Sequence, residues 1–485
     1  MVVNSRTTAY LIAFPVGLMG IVQLVFAVLS FTIFEDHEEA HFLFPAVAMI
    51  SIAAVFIFLA RRPKGGQIGV RDSLLFATIT WIVMGLFGAI PFITVTGLSL
   101  TDAVFESISG LTTTGATVLS GLDQMPKSFL LYRQFLQWMG GLGIVIFVVA
   151  VLPMLNVGGM KLLKAETPGP IKGDKLTPRI ADTAHYLWIV YAVITILCAT
   201  GYYLAGMSAY DAIAHSFTTV STGGFSTHDA SLGYFNSYVV LLVADVFMLL
   251  GAVNFALHFR VLQARRVTMY WHDEETRYFI LIVLFVSVLI GVLLLANGFY
   301  SDTFTSFNQA SFHLISFITS TGYGASGFTS WPAVVVLLLV FAGYLGGCAG
   351  STAGGNKIIR NILLVKAISL EMKRLVHPRA IFLIKYQGHA IENSILIAAM
   401  AYLFVAAFTS MILTLVLMVT GLDFFTSFTA VAACVNVLGP GFGELSSNFQ
   451  PVNDFGTWVL SVAMILGRLE YFTMLALLVP EFWRY

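Results

Sequence analysis

One short pattern recurs four times along this chain, at intervals of roughly a hundred residues, each copy following an apolar run too short to span a bilayer. The clearest copy is Thr319-Ser320-Thr321-Gly322-Tyr323-Gly324, directly after the run Ala310 to Ile318. Its relatives are Thr112-Thr113-Thr114-Gly115, Val220-Ser221-Thr222-Gly223-Gly224 and Asn436-Val437-Leu438-Gly439-Pro440-Gly441. Repetition on this scale, with long hydrophobic segments on either side, restricts the chain to an array of similar units.

Composition says where that array sits. Of 485 residues, 58% are hydrophobic and 10% are charged, against roughly 25% charged in soluble proteins. So much apolar surface cannot be hidden in a water-soluble core, and the chain reads as an integral membrane protein. A formal net charge of zero argues against a nucleic-acid footprint. Cys198, Cys348 and Cys434 lie in apolar segments at no metal-ligand spacing and carry no disulfide or zinc signal. The stretch 8–31 is too long and too uniformly apolar for a removable signal peptide and reads as a retained helix.

Long apolar segments predict helices at 8–31 and 43–60, then pairs at 73–97 and 128–155, 183–206 and 236–260, 277–298 and 332–345, and 394–419 and 455–480. The short runs 102–112, 211–220, 302–318 and 423–436 fall inside the four pairs and read as re-entrant helices. The chain therefore divides into an N-terminal helix pair, 1–70, and four units at 71–181, 182–275, 276–376 and 377–485.

Lysine and arginine give the orientation. With the N-terminus inside, the inner loops hold Arg61, Arg62, Lys64 and Arg71; Lys161, Lys164, Lys172, Lys175 and Arg179; Arg260, Arg265, Arg266 and Arg277; and Arg360, Lys366, Lys373, Arg374 and Arg379. The outer loops carry acids (Glu35, Asp36, Glu39, Asp123, Asp229, Glu444, Asp454) and almost no base beyond Lys127. The four Thr/Ser/Gly stretches then all face outward. The segment 375–393 is semi-amphipathic and is expected to lie at the inner interface.

Bare backbone at membrane depth is tolerated only where protein or water satisfies it. Four such segments at matched depth most economically line one pore. Glycine permits backbone angles that turn consecutive carbonyl oxygens toward an axis, and such oxygens replace the hydration shell of a monovalent cation. The expected cation-holding residues are Thr112, Thr113, Thr114 and Gly115; Val220, Ser221, Thr222 and Gly223; Thr319, Ser320, Thr321 and Gly322; and Asn436, Val437, Leu438 and Gly439, mostly through main-chain oxygens. No stretch contains the carboxylate expected for a divalent ion. Asp102, Asp211, Asp302 and Asp423 open or nearly open the short helices and read as N-terminal caps. Glu106, His215 and His313 are expected to brace the stretches from behind.

Two further signals stand out. The string from Gly343 to Asn356 holds six glycines in fourteen residues and cannot remain an isolated helix, each glycine costing about 1 kcal/mol relative to alanine. With bases resuming only at Lys357, the break lies within the membrane and reads as a loop lining a cavity. Gly346, Gly347, Gly350, Ser351, Thr352, Gly354, Gly355 and Asn356 would close the path below the third stretch. Arg468 falls midway along the last predicted helix, where an arginine costs about 2.5–3.5 kcal/mol unless it faces a partner or cavity. It is expected to enter the pore and hold carbonyls of the glycine loop, with an ion pair to Glu106 as the alternative.

These motifs resemble the TrkH-type subunits of the Trk/Ktr/HKT superfamily of potassium transporters, over about residues 70–480. The resemblance implies an all-α integral membrane protein of four parallel membrane–pore loop–membrane repeats around one pore, plus two extra N-terminal transmembrane helices. It implies Gly115, Gly223, Gly322 and Gly439 as the key filter glycines, an intramembrane gating loop at the glycine string, and a basic barrier at Arg468. Gly115, where sodium-passing plant relatives tend to carry serine, favours K+. The fourth stretch departs from the pattern, with Leu438 and Pro440 flanking its glycine. The implied activity is potassium uptake in a bacterial inner membrane, with both termini cytoplasmic. The family works as homodimers with a cytoplasmic nucleotide-binding regulator of the TrkA type. This chain has no Walker A or dinucleotide fingerprint, so nucleotide control falls to that partner. The alternative function is a secondary transporter coupling K+ to H+ or Na+, through broken helices at the midplane. Gly350-Ser351-Thr352 is no nucleophile elbow, and an enzyme is not expected.

Overall fold

The computed structural model describes residues 5–60, 70–143, 180–380 and 382–483, and they are mostly helical. Among the described residues, six helices are long and apolar enough to cross a membrane: Tyr10–Phe34, Glu39–Leu59, Leu74–Thr96, His185–Leu204, Glu274–Ala296 and Asn393–Met418. Their packing inverts the pattern of a soluble bundle. On Asn393–Met418 most of the buried face is small or hydroxylated, with Ala399, Ala406, Ser410 and Thr414 beside Tyr402 and Leu417, while Ile397, Phe404, Met411 and Leu415 are exposed. Small residues let helices approach closely, and lipid takes the large apolar ones. Ser410 and Thr414 donate their hydroxyls back to the carbonyls of Ala406 and Ser410, both at 2.8 Å, so no polar group is left bare.

Four short helices, Leu100–Leu111, Ala209–Val220, Thr303–Ile318 and Phe424–Val435, precede the four Thr/Ser/Gly stretches. Their N-termini are capped by two related devices. Ser99 and Ser208 accept from the amides of Asp102 and Asp211, and each serine hydroxyl donates to that aspartate's carboxylate. In the other pair the aspartate is itself the cap: Asp302 accepts from Thr305 N and Asp423 from Phe425 N and Thr426 N. Each cap satisfies amides that have no partner within the helix.

Two predicted continuous helices are broken. The predicted 236–260 is Tyr238–Ala252 followed, after a 98° bend, by Phe255–Ala264. The predicted 455–480 is Asp454–Arg468 followed, after a 113° bend, by Tyr471–Leu478. No glycine or proline sits at either bend. The first is paid for by the glycine-rich loop, which supplies replacement partners: Cys348 N donates to Ala252 O (2.8 Å), Thr352 N to Gly251 O (3.1 Å), and Phe255 N to Gly350 O (3.0 Å). Asn254 then caps the new helix through Ala256 N at 2.8 Å.

The predicted 332–345 helix is Ala333–Leu345; as expected, no helix runs through the glycine string, and a new one starts at Ile358 and runs to Val376. Of the predicted 128–155, the structure describes Lys127–Trp138 and a π-helical turn, Met139–Gly143. The rest, and the basic loops at 61–69 and 157–179, lie outside the described residues. Within 375–393 the chain forms a two-stranded hairpin, Lys385–Tyr386 paired with His389–Ala390, turning at Gln387 (φ 48°) and Gly388 (φ 80°).

Candidate functional site: a ring of four backbone turns

Each short helix ends in the same sequence of backbone states. Thr112, Ser221, Thr319 and Asn436 close the helices with φ of −73°, −77°, −82° and −93°. The next residue is left-handed: Thr113 (60°), Thr222 (53°), Ser320 (55°) and Val437 (56°). A left-handed glycine comes two positions later: Gly115 (82°), Gly224 (77°), Gly322 (81°) and Gly439 (99°). Between them, the amides of Thr114, Gly223, Thr321 and Leu438 turn back on Ser109, Thr218, Ser316 and Ala433 carbonyls at 2.7–2.9 Å.

This equivalence corrects the register of the second stretch. Gly224, not Gly223, matches Gly115, Gly322 and Gly439. Gly223 takes the place of Thr114, Thr321 and Leu438, and Val220 is the last residue of its helix. The Leu438 and Pro440 departure leaves the backbone of the fourth stretch in step with the others.

The four turns meet in cyclic order. A methyl group at Gly115 would lie under 3.0 Å from the Gly223 carbonyl oxygen, one at Gly224 equally close to Thr321 O, one at Gly322 to Leu438 O, and one at Gly439 to Thr114 O. Turn one therefore touches turn two, two touches three, three touches four, and four closes on one. A cavity of about 470 Å³ opens over this ring, lined by the four left-handed glycines together with Arg133 and His228 among others.

The ring is braced from behind by buried polar side chains. Glu106 accepts from Thr117 Oγ1 (2.8 Å), Val118 N (3.0 Å) and Arg133 Nε (2.7 Å). Arg133 also donates to Ser226 O at 3.2 Å and lies 3.4 Å over the Phe225 ring. One turn further on, Gln137 donates to Gly223 O (2.6 Å) and accepts from Phe225 N (3.0 Å). His215 meets Ser226 Oγ at 2.9 Å, and His313 Nε2 accepts from Ala325 N at 3.3 Å. The Tyr323 hydroxyl sits between Thr218 (2.5 Å) and Thr219 (3.0 Å). Arg133, Gln137 and Tyr323 are additions to the expected set. An arginine and a glutamine four apart in a membrane-depth helix were the available signal, since both point to one face. Asp123, in the short turn before Lys127–Trp138 and outside the spanning helices, pairs with His228 Nδ1 at 2.5 Å, and that bond holds its carboxyl below the ordinary carboxylate range.

The glycine-rich loop touches the stretches just before their ring glycines, whereas the cavity is lined by those glycines and the residues after them. Gly354 N donates to Ser320 Oγ at 2.5 Å, and a methyl at Gly354 would meet Asn436 O. The Thr352 hydroxyl reaches Val220 O (3.1 Å) and Gly251 O (2.9 Å), and Thr222 Oγ1 donates to it at 3.3 Å. Gly346, Gly350 and Gly355 are left-handed, Gly347 lies against Ala252, the Ser351 hydroxyl donates to Cys348 O, and Asn356 N to Tyr344 O.

Arg468 is the last residue of its helix rather than mid-helix. It donates to Thr352 O (3.2 Å), Thr113 Oγ1 (3.3 Å), Gly140 O (2.7 Å) and Gly141 O. It thus joins the glycine loop to the first stretch and to the π turn. The alternative partner, Glu106, is bonded to Arg133 instead. Two residues on, Glu470 pairs with Arg360 at 2.5 Å, and that guanidinium lies 3.8 Å over the Tyr402 ring.

The family described as TrkH, cation transport protein, matches residues 38–485. The Trk system potassium uptake protein TrkH of Vibrio parahaemolyticus is 44% identical over 483 residues, covering 99% of each chain. The protein of the same name from Escherichia coli is 44% identical over 425 residues, 87% of this chain and 88% of that one. The crystal structure of the potassium transporter TrkH from Vibrio parahaemolyticus matches with a TM-score of 0.89 and 42% identity, over 99% of this chain and 100% of that one. With its apolar helices, the chain is a multi-pass membrane protein, and it belongs to the TrkH family of cation transport proteins, which are transporters and not enzymes.

Proposed function

We propose that the chain takes up potassium across a bacterial inner membrane through a K+-selective, gated, channel-like pore. The units 71–181, 182–275, 276–376 and 377–485 each contribute one turn to the filter, and 1–70 adds the N-terminal helix pair. The observation that carries this reading is the closed ring in which each left-handed glycine abuts the next turn's carbonyl. Such packing crowds carbonyl dipoles around one axis, where they replace a monovalent ion's hydration shell. The filter comprises the stretches from Thr112, Ser221, Thr319 and Asn436 to Gly115, Gly224, Gly322 and Gly439. Below it, the glycine loop (Gly346, Gly347, Gly350, Ser351, Thr352, Gly354, Gly355 and Asn356) is the gate, and Arg468 is an electrostatic barrier that pins it. The names of the relatives support K+ as the transported ion.

We also carry over from the family a homodimer with one pore per chain, cytoplasmic termini, and a TrkA-type nucleotide-binding regulatory subunit docking on the basic inner loops. The two bent helices favour one alternative, a carrier coupling K+ to H+ or Na+. Radiolabelled rubidium flux into liposomes carrying the chain alone separates the two. Potential-driven flux competed by K+ but not Na+, and raised by deleting 346–356, supports the gated pore. Flux that requires an imposed H+ or Na+ gradient supports the carrier.

A further inference from the structure

The glycine-rich loop is fastened by backbone bonds and by charged side chains of both signs: Arg468, Lys357 and Arg360 donate to its carbonyls, and one acidic residue accepts from amides at its two ends. Glu275, in the first turn of Glu274–Ala296, is buried, and one of its carboxylate oxygens accepts from two amides. Ala349 N donates to it at 2.8 Å and Ile359 N at 3.0 Å. Ala349 lies in the descending part of the loop, and Ile359 lies in the first turn of the helix that follows it. A single carboxyl oxygen therefore clasps both ends of the loop, and a buried amide deprived of its acceptor loses a full hydrogen bond.

The two preceding residues fasten other pieces. Glu274 pairs with Lys366, on the helix Ile358–Val376, and accepts from Gln387 N at 2.8 Å in the hairpin turn. Asp273 accepts from Gln387 Nε2 at 2.7 Å and caps its own helix through Thr276 N at 2.9 Å. Three consecutive carboxylates thus connect the exposed hairpin, the helix after the loop, and the loop itself. None of the three touches the ring.

We propose that Glu275 is the latch of the glycine-rich loop, a positioning residue that holds the loop's two ends together when shut. The inference rests on reading that loop as the gate. Because Glu275 shares one helical turn with Asp273 and Glu274, a displacement of the hairpin at 385–390 is carried to the loop through it. The hairpin is then the place where a cytoplasmic protein pulls on the gate without reaching the pore.

The test uses the full chain in liposomes, with Cys198→Ser and Cys434→Ala so that Cys348 is the remaining cysteine. Cys348 is fully buried in the loop and reports its opening. Glu275→Ala is expected to raise rubidium flux at least about tenfold, the scale of losing two hydrogen bonds to one buried acceptor. It should also speed labelling of Cys348 by a small methanethiosulfonate from the cytoplasmic face by a similar factor. Glu275→Gln, whose amide oxygen still accepts, should fall between. A merely structural residue would lower flux when removed, and that result overturns the latch. Unchanged flux and labelling also overturn it, and if deletion of 346–356 still raises flux the gate reading survives. Faster labelling with unchanged flux upholds the latch and removes the gate reading. Should Glu275→Ala fail to reach the membrane as monodisperse protein, Glu275→Gln decides by the same two readouts.

Discussion

Gly224 and Gly121 share a backbone φ of +77°, and this coincidence isolates the packing of the ring. A methyl at Gly121 meets nothing within 4 Å, so Gly121→Ala should cost only the left-handed strain of about 1–2 kcal/mol, reduced by about 0.4–1 kcal/mol through the stiffer unfolded chain. Gly224→Ala carries the same two contributions and also drives a methyl into the Thr321 carbonyl, a backbone atom that cannot swing aside. Overpacking of this kind costs about 1–3 kcal/mol, giving a total of about 1–5 kcal/mol. The ring must widen to relieve it, so the change should appear in ion selectivity as well as stability. At Gly223 the added methyl meets the end of the Gln137 side chain rather than backbone, and the φ is not left-handed. The assay is thermal unfolding of the three alanine variants in detergent, with rubidium flux competed by K+ and Na+. Gly224→Ala should be the least stable and should lose discrimination against Na+, while Gly121→Ala keeps it. Equal effects at 121 and 224 would refute the ring, and a greater loss of selectivity at 223 than at 224 would refute the register.

Arg468→Ala should release the glycine loop from Gly140, Gly141 and Thr113 and raise rubidium flux several-fold; unchanged or lower flux would remove its role as a barrier. Removing one partner of the buried Glu106–Arg133 pair, as in Arg133→Met, should destabilise by about 3–5 kcal/mol, with a smaller penalty when Glu106→Gln is added, measured by a double-mutant unfolding cycle. Asp123 is half-exposed and its carboxyl sits below the usual range because of His228, so its contribution is complete above the ordinary carboxylate range and is lost as pH falls through its lowered value. Thermal stability of wild type and Asp123→Asn should accordingly converge only at strongly acidic pH.

The four short helices, the stretches after them and the caps Asp302 and Asp423 were legible in the sequence, because hydrophobic length and cap chemistry are local; Asp102 and Asp211, expected as caps, stand at the third helical position, where they bond the true caps Ser99 and Ser208. The register of the second stretch was not. Ser221-Thr222-Gly223 imitates Thr113-Thr114-Gly115, and with glycine at both 223 and 224 the letters fit either alignment. Only the helix end at Val220 and the amides turning back on Thr218 decide it. The bends at 253–254 and 469–470 were hidden for a related reason. Neither carries glycine or proline, and the loop that satisfies the first bend's carbonyls lies about a hundred residues away in sequence. Arg468 announced itself as a membrane-depth charge, but its partners Gly140 and Gly141 are backbone, which no residue pattern identifies.

The most direct test is rubidium anomalous scattering from the protein crystallised in a rubidium salt. The expected result is density on the axis of the ring, level with the carbonyls of Thr114, Gly223, Thr321 and Leu438. Rubidium density off that axis, with none between the four turns, would contradict the claim that they form one ion-holding filter.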